Sequence, residues 1–169
     1  MRKNYAMFLV LLLAACANQE KPKNFETQFT QQREKIEQSC NNPQDRKGCQ
    51  ILEVAYMNGW GVEKDEQKAI SYAEQACNAG FLGSCFNLGL SHQKGKGTPR
   101  DYKKAVDFYT KACNGNHAKA CNNLGVLYNK GFGVKRNRAT ALRYFHKACQ
   151  IDRNLVQNNN ESYGCTNLR

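Results

Sequence analysis

The stretch CNNLGVLYNKGFGV, residues 121–134, is one copy of a pattern that returns every 36 residues along the chain. Too many unusual residues align under this shift for the match to be chance. The recurring cysteines are Cys49, Cys85 and Cys121, and Cys77, Cys113 and Cys149. The other recurring positions include Leu52, Leu88 and Leu124, and Gly59, Gly95 and Gly131. Three full repeats are therefore predicted at residues 49–84, 85–120 and 121–156.

Each repeat is predicted to be a pair of helices. In the third repeat, Cys121, Leu124 and Tyr128 have the i, i+3, i+7 spacing of one apolar helix face. The Gly-x-Gly that follows predicts the end of this helix, because glycine readily adopts the positive φ of a helix C-terminus and a tight turn. The chain is thus predicted to fold as an all-α, α/α-repeat solenoid.

The second helix of each repeat begins after a residue suited to capping it. The predicted N-caps, which share one repeat position, are Asp65, Asp101 and Asn137. The second helices carry alanines, which allow close helix packing, and one aromatic residue that we predict to be part of the core. These aromatic residues are Tyr72, Phe108 and Tyr144.

Incomplete repeats flank the array. Residues 24–48 are predicted to form an N-terminal capping helix, and residues 157–169 a C-terminal partial repeat. The sequence from Cys165 to Leu168 echoes the start of the third repeat. Such half-repeats cover the ends of a stack that buries its core only between neighbours.

The first residues have the layout of an export signal. Arg2 and Lys3 precede an apolar run that is too short to remain as a membrane span. The run ends in Leu-Ala-Ala-Cys16, which resembles the bacterial lipobox. Residues 1–15 are therefore predicted to be a lipoprotein signal peptide, Cys16 the lipidation site, and residues 16–23 a polar tether. Because alanine rather than aspartate follows Cys16, we expect an outer-membrane lipoprotein facing the periplasm or cell surface, or a secreted form of it.

The charge balance favours anionic partners. The chain contains 25 Lys and Arg against 14 Asp and Glu, a net charge of +11. Lipopolysaccharide, acidic glycans and host polyanions fit this charge, whereas export argues against nucleic acid. We further expect a monomer without a cofactor, touching the membrane only through its N-terminal lipid.

The repeat resembles a known family. Its pattern, Leu-Gly-x-x-Tyr-x-x-Gly-x-Gly-Val, then Asp, Lys-Ala-x-x-Tyr and Lys-Ala-Cys, resembles the Sel-one-like repeat, a relative of the tetratricopeptide repeat. With a cysteine at each helix-pair junction, the chain resembles the Helicobacter cysteine-rich protein (Hcp) family over nearly all of its mature length. Departures are His92 in place of tyrosine, Thr98 in place of valine, and a last cysteine pair stretched by eight residues.

The nine cysteines allow two regular pairing schemes once Cys16 is set aside for lipid. One scheme joins nearest neighbours: Cys40–Cys49, Cys77–Cys85, Cys113–Cys121 and Cys149–Cys165. The other joins the two helices of each repeat: Cys49–Cys77, Cys85–Cys113 and Cys121–Cys149. The first uses every remaining thiol, and the resemblance implies the same pairing. A zinc site is not expected, because no Cys-x2-Cys is present and the three histidines fall at different repeat positions.

The resemblance also implies penicillin binding and weak β-lactamase activity. Serine β-lactamases use a Ser-x-x-Lys motif, and the only match in this chain is Ser91-His92-Gln93-Lys94. No Ser-Asp-Asn or Lys-Thr-Gly accompanies it. Ser91 and Lys94 are therefore weak catalytic candidates, and β-lactam hydrolysis is the alternative function.

The leading prediction is a binding scaffold. The first helices of a helix-pair solenoid line its concave side, where extended ligands usually bind. These polar positions lie off the apolar stripe: Asn87, Gln93, Asn122, Asn123, Asn129 and Lys130. They suit peptidoglycan fragments, β-lactams, extended peptides, or envelope and host proteins. The competing interpretation is that they are ordinary solvated helix positions.

Overall fold

The computed structural model describes residues 25–42 and 45–155, and within these ranges helices are the only regular secondary structure. Its seven described helices are α1 (Phe25–Asn41), α2 (Lys47–Asn58), α3 (Glu66–Asn78), α4 (Leu82–Lys94), α5 (Tyr102–Asn114), α6 (Ala118–Lys130) and α7 (Arg138–Leu155). They form two compact units, with α1–α3 in the first and α4–α7 in the second. The signal peptide, Cys16, the tether and the C-terminal partial repeat lie outside the described residues.

In the first unit, α2 and α3 form a hairpin and α1 packs against α2. The face that α1 contributes is apolar, and its Phe29 and Ile36 are fully buried. Ser39 of α1 helps to position α2, because its hydroxyl accepts a hydrogen bond from the Gly48 N–H at 3.0 Å. Helix α1 occupies the segment for which an N-terminal capping helix was predicted.

In the second unit, the hairpins α4–α5 and α6–α7 stack through α5 and α6. Glycines on the first helices make room for aromatic rings of the second helices. A Cβ on Gly89 would lie 2.4 Å from the Tyr109 ring, and one on Gly125 would lie 2.5 Å from the Phe145 ring. Both rings are buried as a result, and Tyr109 is completely inaccessible to solvent.

The predicted helix ends are confirmed. Each first helix stops at a glycine with positive φ: Gly59 at 71°, Gly95 at 73° and Gly131 at 76°. Each second helix is capped as predicted: Asp65 accepts from the Lys68 N–H, Asp101 from the Lys103 and Lys104 N–H groups, and Asn137 from the Thr140 N–H. These local signals place both helices of every hairpin correctly.

The aromatic residues that were predicted to be part of the core, Tyr72, Phe108 and Tyr144, are only half-buried. Each stacks on a ring of the first helix, so that every hairpin contains one pair. The ring centroids are 5.5–5.6 Å apart in the pairs Tyr56–Tyr72, His92–Phe108 and Tyr128–Tyr144. His92 is buried and stacks parallel to Phe108, with an interplanar angle of 5°. The departure from tyrosine at this position therefore keeps the stacking arrangement of the other repeats.

Disulfides join α1 to α2 in the first unit and the hairpin α4–α5 to the hairpin α6–α7 in the second. Cys113 of α5 bonds to Cys121 of α6 with their Cα atoms 4.7 Å apart, and Cys40 of α1 bonds to Cys49 of α2 at 4.5 Å. Cys77, Cys85 and Cys149 are disulfide-bonded as well. Because Cys113 and Cys121 bond to each other, the hairpin-stapling pairs that involve them do not form. Cys165, the predicted partner of Cys149, lies outside the described residues.

Helix α6 has a pH-sensitive cap, because the Nδ1 atom of His117 accepts a hydrogen bond from the Ala120 N–H at 3.3 Å. Burial lowers the pKa of His117, and the nearby charge of Lys119 lowers it further. The stability that the neutral ring contributes is therefore complete above its ordinary pKa of about 6.5 and is lost as the pH falls through the lower folded-state value.

We expect the free energy of unfolding to fall more in wild type than in His117→Asn between about pH 7 and pH 5. Asparagine is a good N-cap that does not titrate in this range. Urea denaturation at several pH values measures the difference, and the other two histidines are common to both proteins. Parallel pH profiles for the two proteins would contradict this role for His117.

Candidate functional site

The polar residues predicted to bind ligands lie on α4 and α6 of the second unit. The 36-residue period places Asn87 and Asn123 at equivalent positions, and likewise Gln93 and Asn129. Asn87, Gln93 and Asn123 are half-buried, whereas Asn129 is exposed. We call the set of amides on these two helices the amide face, and Gln93 and Asn123 are the two that a shared partner brings together. The set comprises Asn87, Gln93, Asn122, Asn123 and Asn129.

Tyr109 of α5 holds two of these amides in place. Its hydroxyl donates a hydrogen bond to Gln93 Oε1 at 2.6 Å, and it also hydrogen-bonds to Asn123. Burial raises the pKa of Tyr109 well above its ordinary range, so the phenol remains a neutral donor. The amides of Gln93 and Asn123 therefore have a fixed orientation without any ligand.

Sequence reasoning did not identify Tyr109 as part of the site. The usable signal was the pairing of a glycine on the first helix with an aromatic residue on the second, as in Gly89 with Tyr109 and Gly125 with Phe145. Phe145 lacks a hydroxyl, so the corresponding hydrogen bonds cannot form in the next hairpin. Only the distance from Tyr109 to Gln93 shows that the phenol reaches the amide face.

The Ser-x-x-Lys candidates are poorly placed for acyl transfer. Ser91 is only 6% exposed, and its carbonyl closes the end of α4 by accepting from the N–H groups of Gly95 and Lys96. Lys94 is exposed on the last turn of α4. A β-lactam ring could reach the Ser91 hydroxyl only after local opening of the helix packing.

The first unit contains a groove of about 360 Å³, lined by Arg33, Tyr56, Val62, Glu63, Lys64, Asp65 and Lys68. Its cations already have partners within the unit. Arg33 pairs with Glu37 at 2.9 Å, and the hydrogen bond from Arg33 to Glu37 raises the pKa of Arg33. Lys68 pairs with the capping Asp65 at 3.3 Å. These pairs leave the groove without a concentrated charge of one sign.

Two further properties concern the described part of the chain only. None of its helices combines the length and apolar character needed to cross a bilayer. Among the same residues, histidine, cysteine and acidic side chains nowhere gather into a group of three or more that could hold a metal ion.

The family model for the Sel1 repeat matches the chain three times, at residues 51–81, 83–117 and 118–151. These matches cover more than half of the sequence. The chain belongs to the Sel1 repeat family. The predicted fold class and the predicted family resemblance are therefore both confirmed.

Solved Sel1 repeat structures superpose on this chain. A Sel1 repeat protein from Oxalobacter formigenes is 33% identical with a TM-score of 0.67, over 76% of this chain and 51% of that one. A protective antigen of uropathogenic Escherichia coli is 28% identical with a TM-score of 0.68, over 85% of this chain and 30% of that one. This chain thus spans about half of the first relative and under a third of the second.

Helicobacter pylori cysteine-rich protein B is 27% identical with a TM-score of 0.57, over 75% of this chain and 90% of its own length. No curated protein matches the sequence significantly. Sel1 repeat proteins generally act as scaffolds for protein interactions. The disulfides, together with this cysteine-rich neighbour, indicate that the chain is exported.

Proposed function

We propose that this Sel1 repeat protein is an envelope scaffold that binds extended peptide chains along the amide face of its second unit. The observation that carries the proposal is the Tyr109 hydroxyl, which orients Gln93 and Asn123 before any ligand arrives. The ligands would be segments of envelope or host proteins, or the stem peptides of peptidoglycan. Export, and lipid attachment at Cys16, would bring the scaffold to these ligands.

Amide side chains suit a peptide ligand because each offers both donors and an acceptor. An extended main chain presents N–H and C=O groups at regular intervals and can hydrogen-bond to such amides whatever its side chains are. Asn87 and Asn123 are equivalent residues one repeat apart, so an amide recurs at this position on α4 and α6. A side chain that is already oriented loses less conformational entropy on binding than a free one, which increases affinity.

β-Lactam hydrolysis, the alternative function, has no comparable support, since its one candidate nucleophile is Ser91, which is buried. Weak binding of penicillin without turnover would still be compatible with a peptide site, because penicillin resembles the D-Ala-D-Ala end of a stem peptide. Binding and hydrolysis must therefore be measured separately.

We expect Tyr109→Phe to weaken peptide binding about fivefold to tenfold, corresponding to the loss of roughly one oriented hydrogen bond. Calorimetric titration of the disulfide-intact full chain with an unstructured peptide, a purified muropeptide and benzylpenicillin measures this. Asn123→Ala should weaken binding of the same ligands. Phenylalanine should fit this site, because Phe145 occupies the equivalent position beside Gly125.

Lys119→Gln on the same helix as Asn123 is the control, because Lys119 is exposed and lies outside the amide face. Its affinity should equal that of wild type. If all four proteins bind the three ligands equally well, or if none of them binds any ligand, the amide face is not a peptide site.

A further inference from the structure

The positive charge of the chain is concentrated in the described part of its second unit. Residues 80–155 contain 14 Lys and Arg against three acidic residues, a net charge of +11. The whole chain has the same net charge, because its remaining residues contain 11 Lys and Arg and 11 Asp and Glu. The excess positive charge is therefore a property of one unit and not of the average composition.

Within this unit the charge lies mostly at one edge. The segments 94–104 and 130–138, which contain the two Gly-x-Gly turns, carry nine Lys and Arg, all exposed, and one acidic residue, Asp101. The two segments touch, since a Cβ on Gly133 would lie 2.4 Å from the Tyr102 carbonyl. We call these two segments the basic edge.

The basic edge also exposes an aromatic ring. Phe132, between the two glycines of its turn, is 41% exposed although it is large and apolar. One side of its ring packs on Tyr102 at 4.9 Å between centroids. Lys130 lies 5.8 Å from the Phe132 centroid, and Arg100 lies 5.8 Å from the Tyr102 centroid. The edge thus combines an exposed apolar ring with a cation beside each of its two aromatic residues.

We propose that the basic edge docks on an anionic phospholipid surface, with Phe132 entering the region between headgroups and acyl chains. Clustered Lys and Arg are attracted to the phosphates of such a surface, and aromatic rings partition into its interface. A soluble polyanion would satisfy the cations but offers no apolar phase for the exposed ring. This contact goes beyond the N-terminal lipid and would orient the second unit at the membrane.

The test uses the full chain with Cys16→Ser throughout, so that no acyl chain contributes to binding. Sedimentation with phosphatidylcholine vesicles, with and without phosphatidylglycerol, measures affinity. We expect binding only to the anionic vesicles, and weaker binding at higher salt. The edge variant Lys135→Gln/Arg136→Gln/Arg138→Gln should bind at least about tenfold more weakly.

The matched control is Arg143→Gln/Lys147→Gln/Arg153→Gln, which removes the same charge from α7 outside the basic edge. It should lose less than about threefold in affinity, because these charges lie farther from the docked surface. If the two triple variants lose affinity for the vesicles equally, the proposal is wrong, because binding would then depend on the net charge of the protein and not on the basic edge.

The aromatic tip is tested by Phe132→Ser, which keeps every charge and should weaken vesicle binding. The variant Phe132→Trp should show a blue-shifted emission on binding, whereas Trp60 of the first unit is buried. Edge-dependent binding to heparin or an oligonucleotide without binding to vesicles would overturn the membrane assignment in favour of a soluble polyanion. None of these variants alters Tyr109 or the amide face, so failure here leaves the proposed peptide site untouched.

Discussion

Gly48→Ala is expected to destabilise the first unit by roughly 3 kcal/mol, although alanine is the better helix former. A Cβ at this position would lie 1.9 Å from the Ile36 carbonyl oxygen and 2.7 Å from the Cys40 nitrogen. Both are backbone atoms of α1, so no side-chain rotation relieves the overlap. Helix α1 would have to move away from α2, against the constraint of the Cys40–Cys49 disulfide.

Urea denaturation followed by the fluorescence of Trp60, the single tryptophan, reports on this unit. Gly83→Ala is the control, because Gly83 is also the second residue of its helix and a Cβ there would meet nothing within 4 Å. Because Gly83 lies in the second unit, the unfolding of this variant is followed by circular dichroism and not by Trp60. That variant should be as stable as wild type or up to about 1 kcal/mol more stable. A Gly48→Ala protein that unfolds at the wild-type urea concentration would show that the two helices are not in such close contact.

Replacing both Cys113 and Cys121 by alanine is expected to lower the free energy of unfolding by roughly 2–3 kcal/mol. The bond closes a short loop, with a sequence separation of 8, and its main effect is to restrict the unfolded chain. Both cysteines are fully buried at the contact between α5 and α6. The two hairpins of the second unit should therefore separate more easily without it.

Denaturation followed by circular dichroism measures the loss, and peptide mapping without reduction should recover Cys113 linked to Cys121 in wild type. The double variant Cys40→Ala/Cys49→Ala removes a bond of nearly equal separation, 9, from the first unit and should cost a similar amount. A loss below about 1 kcal/mol in both variants would mean that the bonds do not act through loop closure.

The site was only partly predictable. The 36-residue period placed Asn87, Gln93 and Asn123 on the first helices, because equivalent residues occupy the same helix in each repeat. It could not show that Tyr109 orients two of these amides, since that contact depends on how deeply one ring sinks beside Gly89. The predicted partner classes and the lipidation of Cys16 remain predictions.

Sequence alone was enough for the repeat, its helix pairs and their ends. A period of 36 residues, Gly-x-Gly turns and Asp or Asn caps act within a few residues of the backbone that they shape. Their consequences can therefore be read without knowing what packs where. The cap of α6 was not predicted, because the sequence showed His117 only as an isolated histidine and histidine is not a usual N-cap.

Tertiary structure decided what depends on distances between helices. The 36-residue shift, applied twice, relates Gly48 to Ala120, yet Gly48 has backbone atoms of a neighbouring helix where its Cβ would lie. Ser91 is buried and Phe132 exposed for the same kind of reason, since neighbouring helices cover one and leave part of the other open. Such features depend on how closely whole helices pack against one another, and a pattern in the sequence does not give the distance between two helices.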